Sequence, residues 1–404
     1  MLRLSNPDLR RLVIGETIST YGSLISLLAL PFVALLYLHR GAGALAVVGV
    51  AEMLPGFVAG LFAGVWVDRL SRRDVLVATN AIRFGLVGLV PVLAWMGALN
   101  MVWLVVIAAA TGLTGSLYMP AYRAILPVLV STQELTEANS LIEGLNAVAE
   151  ICAFASAGFL VQVFTAPTAM LIDAITFGVA AIFAAGLPAT PPSIAHKDRR
   201  TVMVEMGEGL RVVRRQTVLR PMALGAVALG LGRGLINTLF VLHVTRTLGY
   251  RPGPQGLVYA VGGVVSIIAA TIASRVTNRL GAGRAVLVGL TIESVAMLFV
   301  VFAPSPSWAG YSMLTAQQVI GDLAMTVAIV ASVAIRQTHT PDGMRGRVES
   351  AIGTATTFGV VIGMATAGWL GPAERLGTRG GLGLGAALYG LAVLAMLPLR
   401  SIQT

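Results

Sequence analysis

Charge is scarce in this sequence. Asp, Glu, Lys and Arg together make up 11% of 404 residues, where a soluble protein carries about 25%. Lysine is nearly missing, with Lys197 standing alone among 28 basic residues. One cysteine, Cys152, excludes an internal disulfide, and four histidines form no cluster with metal-ligand spacing. No phosphate-cradling glycine loop is present, which excludes ATP-driven work. No Ser-His-Asp spacing supports an enzyme. The sequence therefore implies no cofactor and no metal. Strict apolar/polar alternation is also lacking, which excludes a transmembrane barrel.

What fills the chain is apolar residue, 56% of the total, in runs near the ~20 residues that cross a bilayer as a helix. The first run covers Leu12 to Leu38, with Pro31 inside it, and is too long for a signal-peptide core. Five more follow, at Ala44 to Val67, Asp74 to Met96, Met101 to Leu126, Asn139 to Phe164 and Thr168 to Leu187. The composition then changes. Residues 188 to 220 hold two adjacent prolines and seven Lys/Arg. Within them Met203, Met206, Leu210 and Val213 recur at helical spacing beside Arg211, Arg214 and Arg215, which reads as an amphipathic helix on the membrane surface. Six further runs start near Pro221, Gly256, Arg284, Ser307, Val348 and Gly380, the last ending near Leu399. The expected fold is all-α, with twelve transmembrane helices. An N-terminal six-helix bundle spans 1–187, a cytoplasmic linker 188–220, and a C-terminal bundle 221–404.

The formal net charge of +10 suggests nucleic acid only until its placement is considered. With both termini inside, 21 Lys/Arg fall on the cytoplasmic side, five fall outside, and Arg83 and Arg233 lie within spans. Basic loops mark the cytoplasmic face, so the charge reads as topology and contact with anionic lipid. Nucleic acid is not an expected partner. A weak internal repeat agrees with six plus six spans. Asp68-Arg69-Leu70 is echoed by Asn278-Arg279-Leu280 at an offset of 210, and Tyr122 to Pro127 by Ile335 to His339 at 213.

The most patterned stretch is Gly64-Val-Trp-Val-Asp-Arg-Leu-Ser-Arg-Arg73, between spans two and three. Its Gly-x-x-x-Asp-Arg-x-x-Arg-Arg pattern resembles the corresponding loop of the major facilitator superfamily of secondary transporters. Two other stretches narrow the resemblance to the subgroup of macrolide-efflux and enterobactin-exporter proteins. One is Pro120-Ala121 with Ala124, Pro127, Leu129, Val130 and Ala138-Asn139. The other is Thr340-Pro-Asp-Gly-Met-Arg-Gly-Arg-Val348. The chain departs from common antiporter patterns at two points. Ala153 to Gly158 lacks the Gly-Pro pair of span five, and Gly22 is followed by Ser23 rather than an acid.

The resemblance implies that spans one, four, seven and ten line a cavity and that two, five, eight and eleven gate it. An ionisable group inside a bilayer costs at least ~2.5 kcal/mol, so each is a functional candidate. The expected proton-coupling acids are Glu16, Glu52, Glu150 and Asp322, each with a permanent salt bridge or a snorkelling role as the alternative. Arg83, Asp173 and Glu293 are read as structural ion-pair members. Cavity candidates are Tyr21, Tyr118, Met119, Arg233, Asn237, Gln317, Gln318 and Met325. Few charges with hydroxyls and methionine suit an amphiphilic organic substrate, and suit ordinary helix packing equally. The motif residues Gly64, Asp68, Arg69, Arg72 and Arg73 are expected to gate, with Asp68 facing the start of span eleven near Gly346 to Val348.

The function expected is proton-coupled export of drug-, macrolide- or siderophore-like molecules by alternating access. The partners are an amphiphilic small molecule, protons and the lipid bilayer, and the chain is read as a monomer in a bacterial inner membrane. A lysophospholipid flippase and a non-transporting receptor on the same fold are the alternatives.

Overall fold

Why the first helix begins where it does is visible at Asn6. Its side-chain oxygen accepts from the backbone N–H of Asp8 at 3.0 Å and of Leu9 at 3.2 Å, and Pro7 takes the first helical position. Helix α1 then covers Pro7–Phe32. The computed structural model describes residues 6–189 and 202–402, all helix and connection. After α1 come α2 (Ala42–Asp68), α3 (Arg72–Trp95), α4 (Met101–Leu129), α5 (Leu135–Phe164) and α6 (Ala166–Ala185). The short α7 (Val202–Arg215) leads to α8 (Leu219–Leu242), α9 (Pro252–Leu280) and α10 (Ala282–Phe302). The next span is α11 (Trp308–Gln317), a π turn (Gln318–Asp322) and α12 (Leu323–His339) in one continuous run. Helices α13 (Arg345–Leu370) and α14 (Gly377–Met396) complete the chain. Twelve of these runs are long and apolar enough to cross a membrane.

The helices overshoot the apolar runs, mostly at the end that carries charge. Span five starts at Leu135 rather than Asn139, and span eleven at Arg345 rather than Val348. Hydropathy marks the bilayer core, whereas the helices run on into water until a cap ends them. Before α5, Ser131 donates both N–H and Oγ–H to Glu134 Oε2, at 3.1 and 2.7 Å, which turns the chain into the helix. Both bonds hold the exposed Glu134 carboxyl below its ordinary range. At the end of α12, Thr340 Oγ1 donates back to the carbonyl of Arg336 at 2.6 Å, and Pro341 follows.

The two halves repeat each other with one register. Ala42 and Pro252, Arg72 and Ala282, and Leu135 and Arg345 open matching helices, each pair 210 residues apart. A π turn follows α1 at Val33–Tyr37 and follows α8 at His243–Thr247, at the same offset. Pro31 precedes only the first turn, so the proline is not what the two share.

The chain divides into two compact units. Unit 1 holds residues 1–40, 48–199 and 252–260, and unit 2 holds 41–47, 200–251 and 261–404. Within unit 1, α2 and α4 cross at Gly56 and Gly112. A Cβ on Gly112 would collide with the carbonyl of Glu52. Within unit 2, α8 and α13 meet through Gly230, Gly234, Gly359 and Gly363, the small-residue contact that lets membrane helices approach closely. Trp95 and Trp103 mark one end of unit 1 and Trp308 and Trp369 one end of unit 2, all exposed at helix termini, as expected of an interfacial aromatic belt.

Helix α7 packs within unit 2 by Val213 of the expected face, which is buried in the hydrophobic core, while Leu210 stays half exposed. A polar contact adds to this. Arg347 Nη1 of α13 donates to Glu208 Oε2 at 2.7 Å, and Gly209 lies against the backbone of Arg347 with no room for a side chain. The side chains of Met203 and Met206, and residues 190–201 of the linker, lie outside the described residues.

Candidate functional site

Arg83 is the centre of unit 1. It projects from α3, and its Nε donates to Thr114 Oγ1 of α4 at 3.4 Å. The guanidinium carbon lies 5.4 Å from the centroid of the Tyr118 ring and 5.3 Å from that of Phe177, a double cation–π contact. Gly115 makes room for the head group, since a Cβ there would strike it. Three acids from three other helices interact electrostatically with this one base: Glu16 of α1, Glu52 of α2 and Asp173 of α6.

Each acid is held differently. Tyr118 donates its phenolic proton to Glu16 Oε2 and stacks on Tyr122 at 6.0 Å with 12° between the ring planes. Asp173 is 2% exposed, and Thr176 donates to its carboxylate at 3.4 Å. Glu52, Arg83 and Asp173 share the wall of a cavity of about 210 Å³ with Ser26, Thr111 and Phe177. Arginine stays charged in proteins. One fixed cation among three carboxyls cannot neutralise them all, so the cluster has capacity for protons.

Unit 2 has its own buried cluster, built on the π turn of span ten. Asp322, at the end of that turn, lies against Gly262 of α9 together with Gln318. Glu293 of α10 lies against Gly321 beside the Gln317 amide. A Cβ on either glycine would occupy the carboxyl's place. Asp322, Glu293 and Arg233 of α8 all interact electrostatically with the buried Tyr389 of α14. A π turn adds one residue to a helical circuit and redirects the side chains around it, and such turns are frequent at functional sites.

Of the residues expected from sequence, the structure joins Glu16, Glu52 and Tyr118 in one cluster. It places Asp322 in the other, with Gln317 and Gln318 alongside; Arg233 is exposed and meets that cluster only through its electrostatic interaction with Tyr389. Tyr21 stands apart, its hydroxyl 2.9 Å from Ser156 Oγ. Glu150, Met119 and Asn237 are exposed and belong to neither cluster. Met325 lines a separate cavity whose wall also holds the Arg336–Glu349 ion pair. In the motif, Arg69 is exposed, Arg72 is half-buried, and Arg73 donates to the carbonyl of Ala185 at 2.7 Å. The side chains of Gly64 and Asp68 lie outside the described residues. Sequence reasoning gave Arg83, Asp173 and Glu293 a structural role; the structure puts Arg83 at the hub of one cluster and Glu293 inside the other. The repeat register was the available signal, because Arg83 and Glu293 differ by the same 210 positions as the helix starts.

Comparison with known proteins bears on what such clusters serve. A family described as transmembrane secretion effector matches residues 3–403. A protein of Mycobacterium tuberculosis (strain ATCC 25618 / H37Rv) named multidrug efflux pump Tap is 28% identical over 416 residues, covering 100% of this chain and 96% of its own. Macrolide efflux protein A of Streptococcus pyogenes is 27% identical over 234 residues, 56% of each chain. A solved bacterial homologue of the iron transporter ferroportin, in its inward-facing state, has the same fold with a TM-score of 0.78. It is 17% identical and covers 98% of this chain and 99% of its own. Twelve spans and bacterial relatives make this a multi-pass protein of the inner membrane. The chain belongs to the transmembrane secretion effector family of the major facilitator superfamily of membrane transporters.

Proposed function

We propose that this protein exports amphiphilic small molecules of drug or macrolide type by proton-coupled alternating access, with both termini in the cytoplasm. The carrying observation is the unit 1 cluster. Three carboxyls, Glu16, Glu52 and Asp173, surround the single base Arg83 inside apolar helices. Such groups are expensive in a bilayer unless they serve an ion. A site with more acids than bases takes up and releases protons as its access to water changes. The whole-length similarity to a multidrug pump supports drug-like substrates, and the excess of arginine in one set of loops supports the orientation.

Within this reading Glu16, Glu52 and Asp322 are the proton carriers. Glu150, exposed on α5, is the weakest candidate. The motif from Gly64 to Arg73 biases the gate. The test is purified protein in proteoliposomes with an imposed pH gradient, screened with macrolides, siderophores and lysolipids. Accumulation of a macrolide that collapses with the gradient supports export. Movement of lysolipid alone supports a flippase.

A further inference from the structure

At one end of unit 2 an ion pair stands in the wall of a cavity. Arg336, in the last turn of α12, donates from Nε to Glu349 Oε1 of α13 at 2.8 Å and from Nη1 to Ser332 Oγ at 3.3 Å. Nη2 of Arg336 and Oε2 of Glu349 make no hydrogen bond among the described residues. Each head group keeps a free half, and neither is sealed off, with side chains 17% and 44% exposed. The fold does not require the pair. At the 210-residue register Glu349 corresponds to Asn139 of unit 1, whose amide turns back to the carbonyl of Leu135 at 2.8 Å.

The cavity measures about 180 Å³. Ser332, Arg336 and Glu349 line it at the helix ends, while Leu229, Leu290 and Met325 line it toward the middle of spans seven, nine and ten. Met222 and Met396 add flexible apolar wall. Pockets for drug-sized ligands run to ~300–1,000 Å³. This one is too small for a macrolide and suits a narrow chain. Its polar end lies where the helices leave the membrane and its apolar end toward the membrane's middle, the arrangement of a phospholipid in one leaflet.

The ion pair selects the head group. A monocation is drawn to Glu349 and repelled by Arg336, and a monoanion meets the reverse. A zwitterion satisfies both charges at once. We propose that unit 2 binds a zwitterionic single-chain phospholipid, with its phosphate on the free Nη2 of Arg336, its ammonium on the free Oε2 of Glu349 and its chain in the cavity. Phosphate oxygens fit the planar donor fork of arginine, and an ammonium donates to a carboxylate. Glu293, Asp322 and Arg233 do not line this cavity. The site therefore stands apart from the acid cluster of unit 2 and depends on neither proton coupling nor the exporter reading.

Three amphiphiles with tails of equal length test it on purified full-length protein, with binding read by native mass spectrometry. They are lauroyl lysophosphatidylethanolamine, lauroyl lysophosphatidylglycerol and dodecyltrimethylammonium. The zwitterion should bind about tenfold more tightly than either singly charged amphiphile, since each of those forfeits a charge-assisted bond. Equal affinity for all three, or no binding, overturns the proposal without any variant. Glu349→Gln should raise lysophosphatidylglycerol to the level of the zwitterion, and Arg336→Gln should do the same for dodecyltrimethylammonium. An unchanged head-group preference in both variants overturns the assignment to this pair. Ala226→Leu, which fills the cavity from α8, should weaken all three about tenfold with the preference kept; unchanged affinity overturns the cavity assignment. Glycerophosphoethanolamine, the head group without its chain, should not compete at equal concentration. Competition by it would put a soluble zwitterion in the site and remove the lipid. Macrolide export without zwitterion binding removes this site and leaves the exporter standing. Zwitterion binding without gradient-driven export does the reverse.

Discussion

Arg83 and Glu293 hold corresponding places in the two repeats, 210 positions apart, with opposite charge. The same register carries Glu52 onto Gly262 and Gly112 onto Asp322. In unit 1 the acid comes from α2 and the glycine it packs on comes from α4. In unit 2 the glycine comes from α9 and the acid from the π turn of span ten. The crossing is kept and the charge has changed sides. One repeat thus surrounds a base with acids, and the other sets two acids together.

The Arg83 hub leads to a stability prediction. Arg83→Met leaves Glu16, Glu52 and Asp173 without a cation and should lower stability by about 3–5 kcal/mol, the usual penalty for breaking a buried pair from one side. Adding Asp173→Asn should recover part of it. Thermal unfolding of the detergent-purified variants checks both. Equal Tm values for wild type and Arg83→Met would remove the hub.

Helix crossing in unit 1 depends on Gly112. Gly112→Ala drives a Cβ into the Glu52 carbonyl and should cost about 1–3 kcal/mol, as overpacking does. Gly144→Ala on α5 meets nothing within 4 Å and should be neutral or stabilising by about 0.5–1 kcal/mol. Paired thermal melts distinguish a close crossing from a general dislike of added methyls.

Much of the architecture was legible in composition alone. Twelve spans and their order follow from apolar runs bounded by arginine. The helix ends were not legible, because Asn6, Ser131 and Thr340 set them through hydrogen bonds that hydropathy does not register. The π turns were not legible either. Val33–Tyr37 is apolar and His243–Thr247 is polar, yet both adopt the same turn, so tertiary position and not composition decides it. Glu16 and Asp322 were singled out by asking which spans line a cavity. Arg83 and Glu293 were read as structural ion-pair members by that same question, since their helices were assigned to the outside. Which residues gather around them was not legible, because it depends on the glycines of the facing helices.

Topology is checked by thiol labelling in a Cys152→Ser background. Thr132→Cys, in the α4–α5 connection, should react with a membrane-impermeant reagent only after the cytoplasmic face is opened. Ala98→Cys, between α3 and α4, should react in intact cells. The reverse pattern overturns the cytoplasmic assignment of the termini.

The α4–α5 connection also has a pH signature. Ser131 holds the Glu134 carboxyl below its ordinary value of 4.5. A depressed carboxyl stabilises the folded chain above that value and loses its contribution as pH falls through the folded-state pKa. Glu134→Gln should therefore lower stability at neutral pH and flatten its decline on acidification. Because the group is fully exposed, the change is small and needs comparison with Ser131→Ala, which removes the Oγ–H bond, keeps the N–H bond and should reproduce part of it. A steep acid decline preserved in both variants would assign that decline elsewhere.

Gradient-driven accumulation of a labelled macrolide in proteoliposomes, with internal pH followed in the same sample, tests proton-coupled export most directly. Wild-type protein is expected to move protons when the macrolide is added and to lose accumulation when a protonophore collapses the gradient. Glu52→Gln combined with Asp322→Asn should insert and bind but move neither. Accumulation indifferent to the protonophore, or a double variant with wild-type rate and pH dependence, would contradict coupling through these acids.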